Sequence, residues 1–168
     1  IGKSAAAGLL RKEFGFSRWP GFDPGVEKLA REEAMDIQTP IRGRFIASDV
    51  NVKVLDVARK NIMEAGLMGQ IQLGRAEFFS YFPPSQPGFV ILNPPYGHRI
   101  RQDNMPDFYK KLGDFLKQHY KGYIAGIISQ QLNGLRYVGL RPRNKYPVFN
   151  GALECRFVVY DLFSGSLK

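Results

Sequence analysis

The sequence predicts an α/β fold: a mostly parallel sheet with helices on both faces, closed at its C-terminal end by an antiparallel hairpin. Three observations predict it. Short continuous apolar runs such as Phe89-Val90-Ile91-Leu92 lack the alternation of a half-solvated strand and suit strands buried on both faces. Between these runs, apolar residues recur at helical spacing. Near the end, two strand-like stretches flank Asn150-Gly151, the strongest short-range hairpin signal.

In chain order, Asp23 can cap a helix whose first turn suits Pro24, and Val26, Leu29, Ala30, Ala34 and Ile37 follow at helical spacing until Thr39-Pro40 ends it. Arg44 to Asp49 read as a strand closing on a carboxylate. Val54, Leu55, Ala58, Ile62 and Ala65 then mark the buried face of a helix stopped at Gly66. Gln70 to Leu73 form the next strand, and a short proline-rich connection from Tyr81 leads to Phe89. Asn104 to Lys121 give the clearest helix, with Phe108, Leu112, Phe115 and Leu116 on one face and Gly122 at its end. Tyr123 to Ile128 is a buried strand reaching Ser129, and Tyr146 to Phe149 with Leu153 to Leu162 make the hairpin.

At 168 residues with 44% hydrophobic residues, the chain is long enough for one domain with a real core. Its one cysteine, Cys155, excludes an internal disulfide framework, fits a reducing, cytoplasmic setting and reads as a small core residue. No apolar run is long enough to span a bilayer. A net charge of +9 favours a nucleic-acid partner over a small metabolite, since cations that neutralise phosphates release counterions; a solvated basic surface is the plain alternative. Basic and aromatic residues interleave from Arg11 to Trp19, a pattern that serves nucleic-acid binding or packing, and Trp19 is expected to pack.

Chemistry concentrates at Asn93-Pro94-Pro95-Tyr96, because Asn93 stands at the carboxyl end of the Phe89 strand, the edge where open α/β sheets bind ligands. An exocyclic base amine is a poor nucleophile because its lone pair is delocalised into the ring. A catalyst must hold that nitrogen with acceptors and aim it at an electrophile. Asn93 offers its side-chain oxygen, and Pro94 offers a carbonyl from a backbone of fixed φ. Tyr96 can stack on a base taken out of its helix. The bland alternative is a Pro-Pro turn with an ordinary half-buried tyrosine. Asp49, at another strand end, can accept from both ribose hydroxyls of a nucleoside cofactor, or can cap the following helix, as Asn51 also can. Arg99 and Arg101 in the loop after the motif can hold a phosphate. Arg136, Arg141, Arg143 and Lys145 cluster around Gly139 and Pro142, either as an RNA-contacting segment or as a solvated basic turn.

At these residues the sequence resembles a known family. Asn-Pro-Pro-Tyr is the signature of S-adenosylmethionine-dependent methyltransferases acting on amino nitrogens. The stretches Phe14 to Gly21, Asn93 to Gly97, Gly139 to Arg141 and Asn150 to Cys155 resemble segments of the bacterial THUMP-associated 23S rRNA guanine-N2 methyltransferases, a family also labelled N6-adenine-specific DNA methylases. The resemblance implies a Rossmann-like class I methyltransferase sheet, S-adenosylmethionine as cofactor and RNA as substrate, with no metal required. It implies that Asn93, Pro94, Pro95 and Tyr96 form the catalytic motif and that Asn93 also adjoins the cofactor. It tips Asp49 towards cofactor binding and places Glu77 where similar enzymes carry an aspartate that contacts the cofactor's adenine. A THUMP RNA-binding domain ahead of the catalytic domain is also implied. Where the family often has an acidic residue this chain has His98, so no role carries over to it.

The family's first strand and glycine-rich turn have no counterpart here. Gly2-Lys3-Ser4 lacks the upstream glycine and strand of a phosphate-binding loop. In this fold the first strand lies mid-sheet, so its absence predicts two exposed inner edges. Residues 1–168 are therefore expected to be a single catalytic domain truncated at its N-terminus. A chain beginning at Ile1 is consistent with a piece of a longer polypeptide. Guanine N2 of 23S rRNA is the expected target. The rivals are an adenine-N6 DNA methyltransferase and an inactive fragment that keeps only nucleic-acid binding.

Overall fold

A computed structural model describes residues 7–37, 39, 42–84, 87–94, 104–130 and 134–163. The chain divides into two units, Ile1–Phe78 and Phe79–Lys168.

In the first unit, helix α1 spans Pro24–Asp36 and α2 spans Val52–Glu64, and strands β1 (Phe45–Asp49) and β2 (Ile71–Arg75) form a parallel two-stranded sheet. Local chemistry sets the ends of both helices. Asp23 Oδ1 accepts from the Gly25 N–H at 2.7 Å, and Asn51 Oδ1 accepts from the Lys53 N–H at 3.0 Å, each satisfying a donor that the first turn leaves unpaired. After α2 the chain leaves through Gly66 at φ +66, a conformation that costs glycine little.

Burial in this unit is sparse. Leu55 is its one buried hydrophobic residue among those described, whereas Val54 is exposed, so the expected buried face of α2 is narrower than its spacing suggests. Trp19 is a second correction. It follows a short 3-10 turn, touches Phe16 edge-on and is 70% exposed, because no described element lies over it to receive the indole.

The second unit holds helix α3 (Met105–His119) and strands β3 (Gly88–Leu92), β4 (Tyr123–Ser129), β5 (Asn144–Asn150) and β6 (Leu153–Asp161). Their order is β3-β4-β6-β5, with β3 and β4 parallel and β6 antiparallel to both its neighbours. Among the described residues, β3 pairs on one side only in its sheet, as does β1 in the other, in line with the open edges expected.

One face of this sheet is covered by α3. Leu112, Leu116 and Tyr109 of the helix are buried together with Ala125, Ile127, Val158 and Tyr160 of the strands. On the opposite face Phe89 and Ile91 are exposed, which corrects the expectation of a strand buried on both faces, because an apolar run does not record what lies over it. Cys155 is buried, as expected. The hairpin turn is displaced by one residue from its expected place. Asn150 pairs with Leu153, so the loop is Gly151-Ala152, because the first loop position needs the positive φ (+62) that Gly151 adopts.

Candidate active site

Two parallel strands bring the candidate catalytic motif to the carboxyl edge of the second unit's sheet. Leu92 is level with Ile127, and β4 continues two residues further, to Ser129. Asn93, the next residue after β3, is exposed and available to a ligand, whereas Pro94 is buried. An exposed amide followed by a rigid, anchored proline is what a pair of fixed acceptors requires. Pro95, Tyr96, Arg99 and Arg101 lie outside the described residues.

Beneath this edge lies a contact the sequence did not disclose. The Tyr109 hydroxyl and Ser129 Oγ are 2.6 Å apart and buried, which ties α3 to the end of β4. Gly134 lies on the same ring: a Cβ there would come within 2.5 Å of it. The only sequence signal was Tyr109 at helical spacing from Leu112 and Leu116. Burial raises the Tyr109 pKa and the Ser129 hydrogen bond opposes that rise; burial pushes Tyr160 up to about 12. Both hydroxyls therefore stay protonated at neutral pH, and neither serves as a base.

In the first unit, Asp49 ends β1 and Glu77 follows β2, so a parallel pair carries both carboxylates to one edge. Asn51, not Asp49, caps α2, and Asp49 Oδ1 accepts instead from the Asn51 N–H at 2.7 Å. The capping alternative thus falls to Asn51. Glu77 is exposed. A groove of about 530 Å³ in this unit, lined by Phe14, Phe16, Phe22 and Val26 among others, includes neither carboxylate.

The basic cluster is dispersed along the second sheet. Arg143 pairs with Asp161 at 3.2 Å, and Asp161 lies opposite Ile124 near the start of β4, the end away from Asn93. Arg141 is exposed in the loop before β5. Lys145 is exposed on β5 and, through Val158 and Ile127, stands level with Leu92. Among the described residues, no group of three or more His, Cys, Asp or Glu side chains could hold a metal. None of the described helices is long and apolar enough to cross a membrane.

The second unit's open sheet, with its parallel pair, its antiparallel C-terminal hairpin and Asn93 at a strand's carboxyl end, is similar to the class I methyltransferase fold. The crystal structure of SMU.472 complexed with SAH shares it at a TM-score of 0.78 and 22% identity, covering 95% of this chain and 42% of that one. Residues 1–158 match the family described as UPF0020, RMKL-like, methyltransferase domain, and the chain belongs to that family. Among relatives, slr0064 of Synechocystis is 34% identical over 164 residues, which is 94% of this chain and 42% of that protein. The ribosomal RNA large subunit methyltransferase K/L of Shewanella amazonensis is 31% identical over 168 residues, which is 97% of this chain and 24% of that protein. The chain thus spans less than half the length of these relatives.

Proposed function

We propose that residues 1–168 form the core of a catalytic domain that methylates an exocyclic base amine in RNA, with guanine N2 of 23S rRNA as the target. The observation that carries this reading is the exposed Asn93 and buried Pro94 at the carboxyl end of β3, in a chain of the RMKL-like methyltransferase family. The name of the Shewanella relative supports ribosomal RNA as the substrate.

S-adenosylmethionine, when bound, supplies an electrophilic methyl group on a sulfonium. Asn93 Oδ1 and the Pro94 carbonyl would accept the two N–H bonds of the base amine and so turn its lone pair out of the ring. Pro95 belongs to the same motif, and Tyr96 would stack on the extruded base. Asp49, with Oδ1 engaged by Asn51, offers its second oxygen to the cofactor ribose, and Glu77 meets the cofactor's adenine amine. The two carboxylates leaving one edge of a parallel pair fit such a nucleoside. Arg99, Arg101, Arg141 and Lys145 meet RNA phosphates, Arg143 does so from its pair with Asp161, and a THUMP-type domain preceding this one adds further RNA contacts.

Two measurements test the reading. Titration with S-adenosylhomocysteine is expected to show one site, weakened about tenfold or more in Asp49→Ala. Transfer of a radiolabelled methyl group to unmodified ribosomal RNA is expected from the wild type and not from Asn93→Ala, which should still bind S-adenosylhomocysteine. Binding without transfer to RNA but with transfer to duplex DNA would move the target to adenine N6. Absence of both binding and transfer would leave a nucleic-acid-binding fragment.

A further inference from the structure

The register of the second sheet leaves its hairpin projecting past the candidate active-site edge. The β4–β6 pairing ends at Ser129 opposite Arg156, so Leu153, Glu154 and Cys155, with Val148, Phe149 and Asn150 opposite them, extend beyond the carboxyl end of β4. Phe149 stands four residues beyond Lys145, which is level with Leu92, and so about 10 Å beyond Asn93 along the strands. Three strand spacings separate them laterally, about 14 Å.

What this projection displays is unusual for a strand. Phe149 is 73% exposed, a large aromatic face left in water. Lys145 and Pro147 share its side of β5, and β6 adds Arg156, paired with Pro147, and the exposed carboxylate Glu154, paired with Phe149, to the same face, which therefore carries two cations and one anion. Lys145 and Arg156 are both exposed. The hairpin is stiffened from its other side by the stacked pair of Tyr146 and Phe157, whose centroids lie 6.4 Å apart. Pro147 lacks an N–H and so discourages a further strand from adding to the β5 edge.

We infer that this face of the β5–β6 hairpin is a docking arm for single-stranded RNA, with Phe149 stacking a base that flanks the target and Lys145 and Arg156 meeting the adjoining phosphates. An aromatic platform near the tip of the hairpin, with Arg156 and Lys145 two and four residues behind it on the same face, suits a strand whose bases are unpaired. Every base offers a π-face, and a duplex offers none from the side. Charge favours the same occupant: 12 of the 24 Lys and Arg but only 5 of the 15 Asp and Glu fall within 79–168, so this unit carries +7 of the net +9. The inference rests on the proposed RNA substrate, and it supplies an anchor about 17 Å from Asn93 that would hold the strand while one base is turned into the site.

The test is fluorescence anisotropy of the 168-residue chain with a fluorescein-labelled oligouridine of about 12 nucleotides. Phe149→Ala is expected to weaken binding about tenfold, Phe149→Trp to restore it and Phe149→Leu not to, since leucine is apolar without a stacking face. Arg156→Ala and Lys145→Ala should each make the salt dependence shallower by about one. All variants should melt like the wild type because the altered side chains are exposed. Unchanged affinity in Phe149→Ala, or no salt-dependent binding by the wild type, overturns the inference. So does a dimer that Phe149→Ala dissociates in sedimentation, which would assign the face to a second copy. If Phe149-dependent binding appears while methyl transfer fails on every nucleic acid, the arm stands and the proposed activity falls.

Discussion

At the scale of single residues, the Tyr109–Ser129 contact has unequal halves. Ser129 has a further interaction besides the one with Tyr109, whereas Ser129→Ala leaves a buried phenol hydroxyl without the partner it has here. Ser129→Ala is expected to cost about 1–3 kcal/mol and Tyr109→Phe about 1 kcal/mol, both read from urea denaturation. The buried tyrosines also set an alkaline limit. Burial pushes Tyr120 and Tyr160 up to about 12 from an ordinary 10, so the native state holds protons that the unfolded chain releases first. Their stabilising contribution is complete below pH 10 and is lost as the pH rises towards 12. Unfolding followed by circular dichroism should therefore show stability falling across that window, and Tyr160→Phe should make the fall shallower.

Among the elements, α3 depends on a close approach that only glycine allows. A Cβ at Gly113 would run into the backbone carbonyl of Val138, in the 3-10 turn Gly134–Val138 that packs on the helix. Carbonyls do not move aside as flexible side chains do. Gly113→Ala is expected to destabilise the chain by about 1–3 kcal/mol despite alanine's better helix propensity, a sign that thermal melting would reveal. An alanine at the more open Gly74, where nothing lies within 4 Å of the added carbon, is the control. Helix α1 illustrates the opposite case. Its cap and its apolar spacing were both legible, yet Val26 and Leu29 are more than half exposed, because spacing records a face without recording what covers it.

For the whole molecule, charge is expected to govern the proposed encounter with nucleic acid. With +7 of the net +9 in 79–168, RNA affinity should fall steeply and linearly in a plot of log K against log salt. Cofactor binding, which neutralises no phosphate backbone, should change far less over the same salt range. Titrations with RNA and with S-adenosylhomocysteine between about 50 and 200 mM salt would separate the two dependences.

Much of this was legible in the sequence because it is local. Caps at Asp23 and Asn51, apolar runs at β3 and β4, the long amphipathic α3 and the Asn93 to Tyr96 motif are each written in a few neighbouring residues, and short-range sterics and hydrogen bonding decide them. So is the resemblance through which the family could be named. What only the tertiary structure decided is pairing between distant segments. Register alone makes Lys145 level with Leu92, ties Arg143 to Asp161 at the opposite end of the sheet and carries Phe149 past the end of β4. Burial joined Tyr109 to Ser129 across 20 residues and left Trp19 in solvent. Such placements depend on which strands align and on what packs above them, and no window of sequence contains both partners.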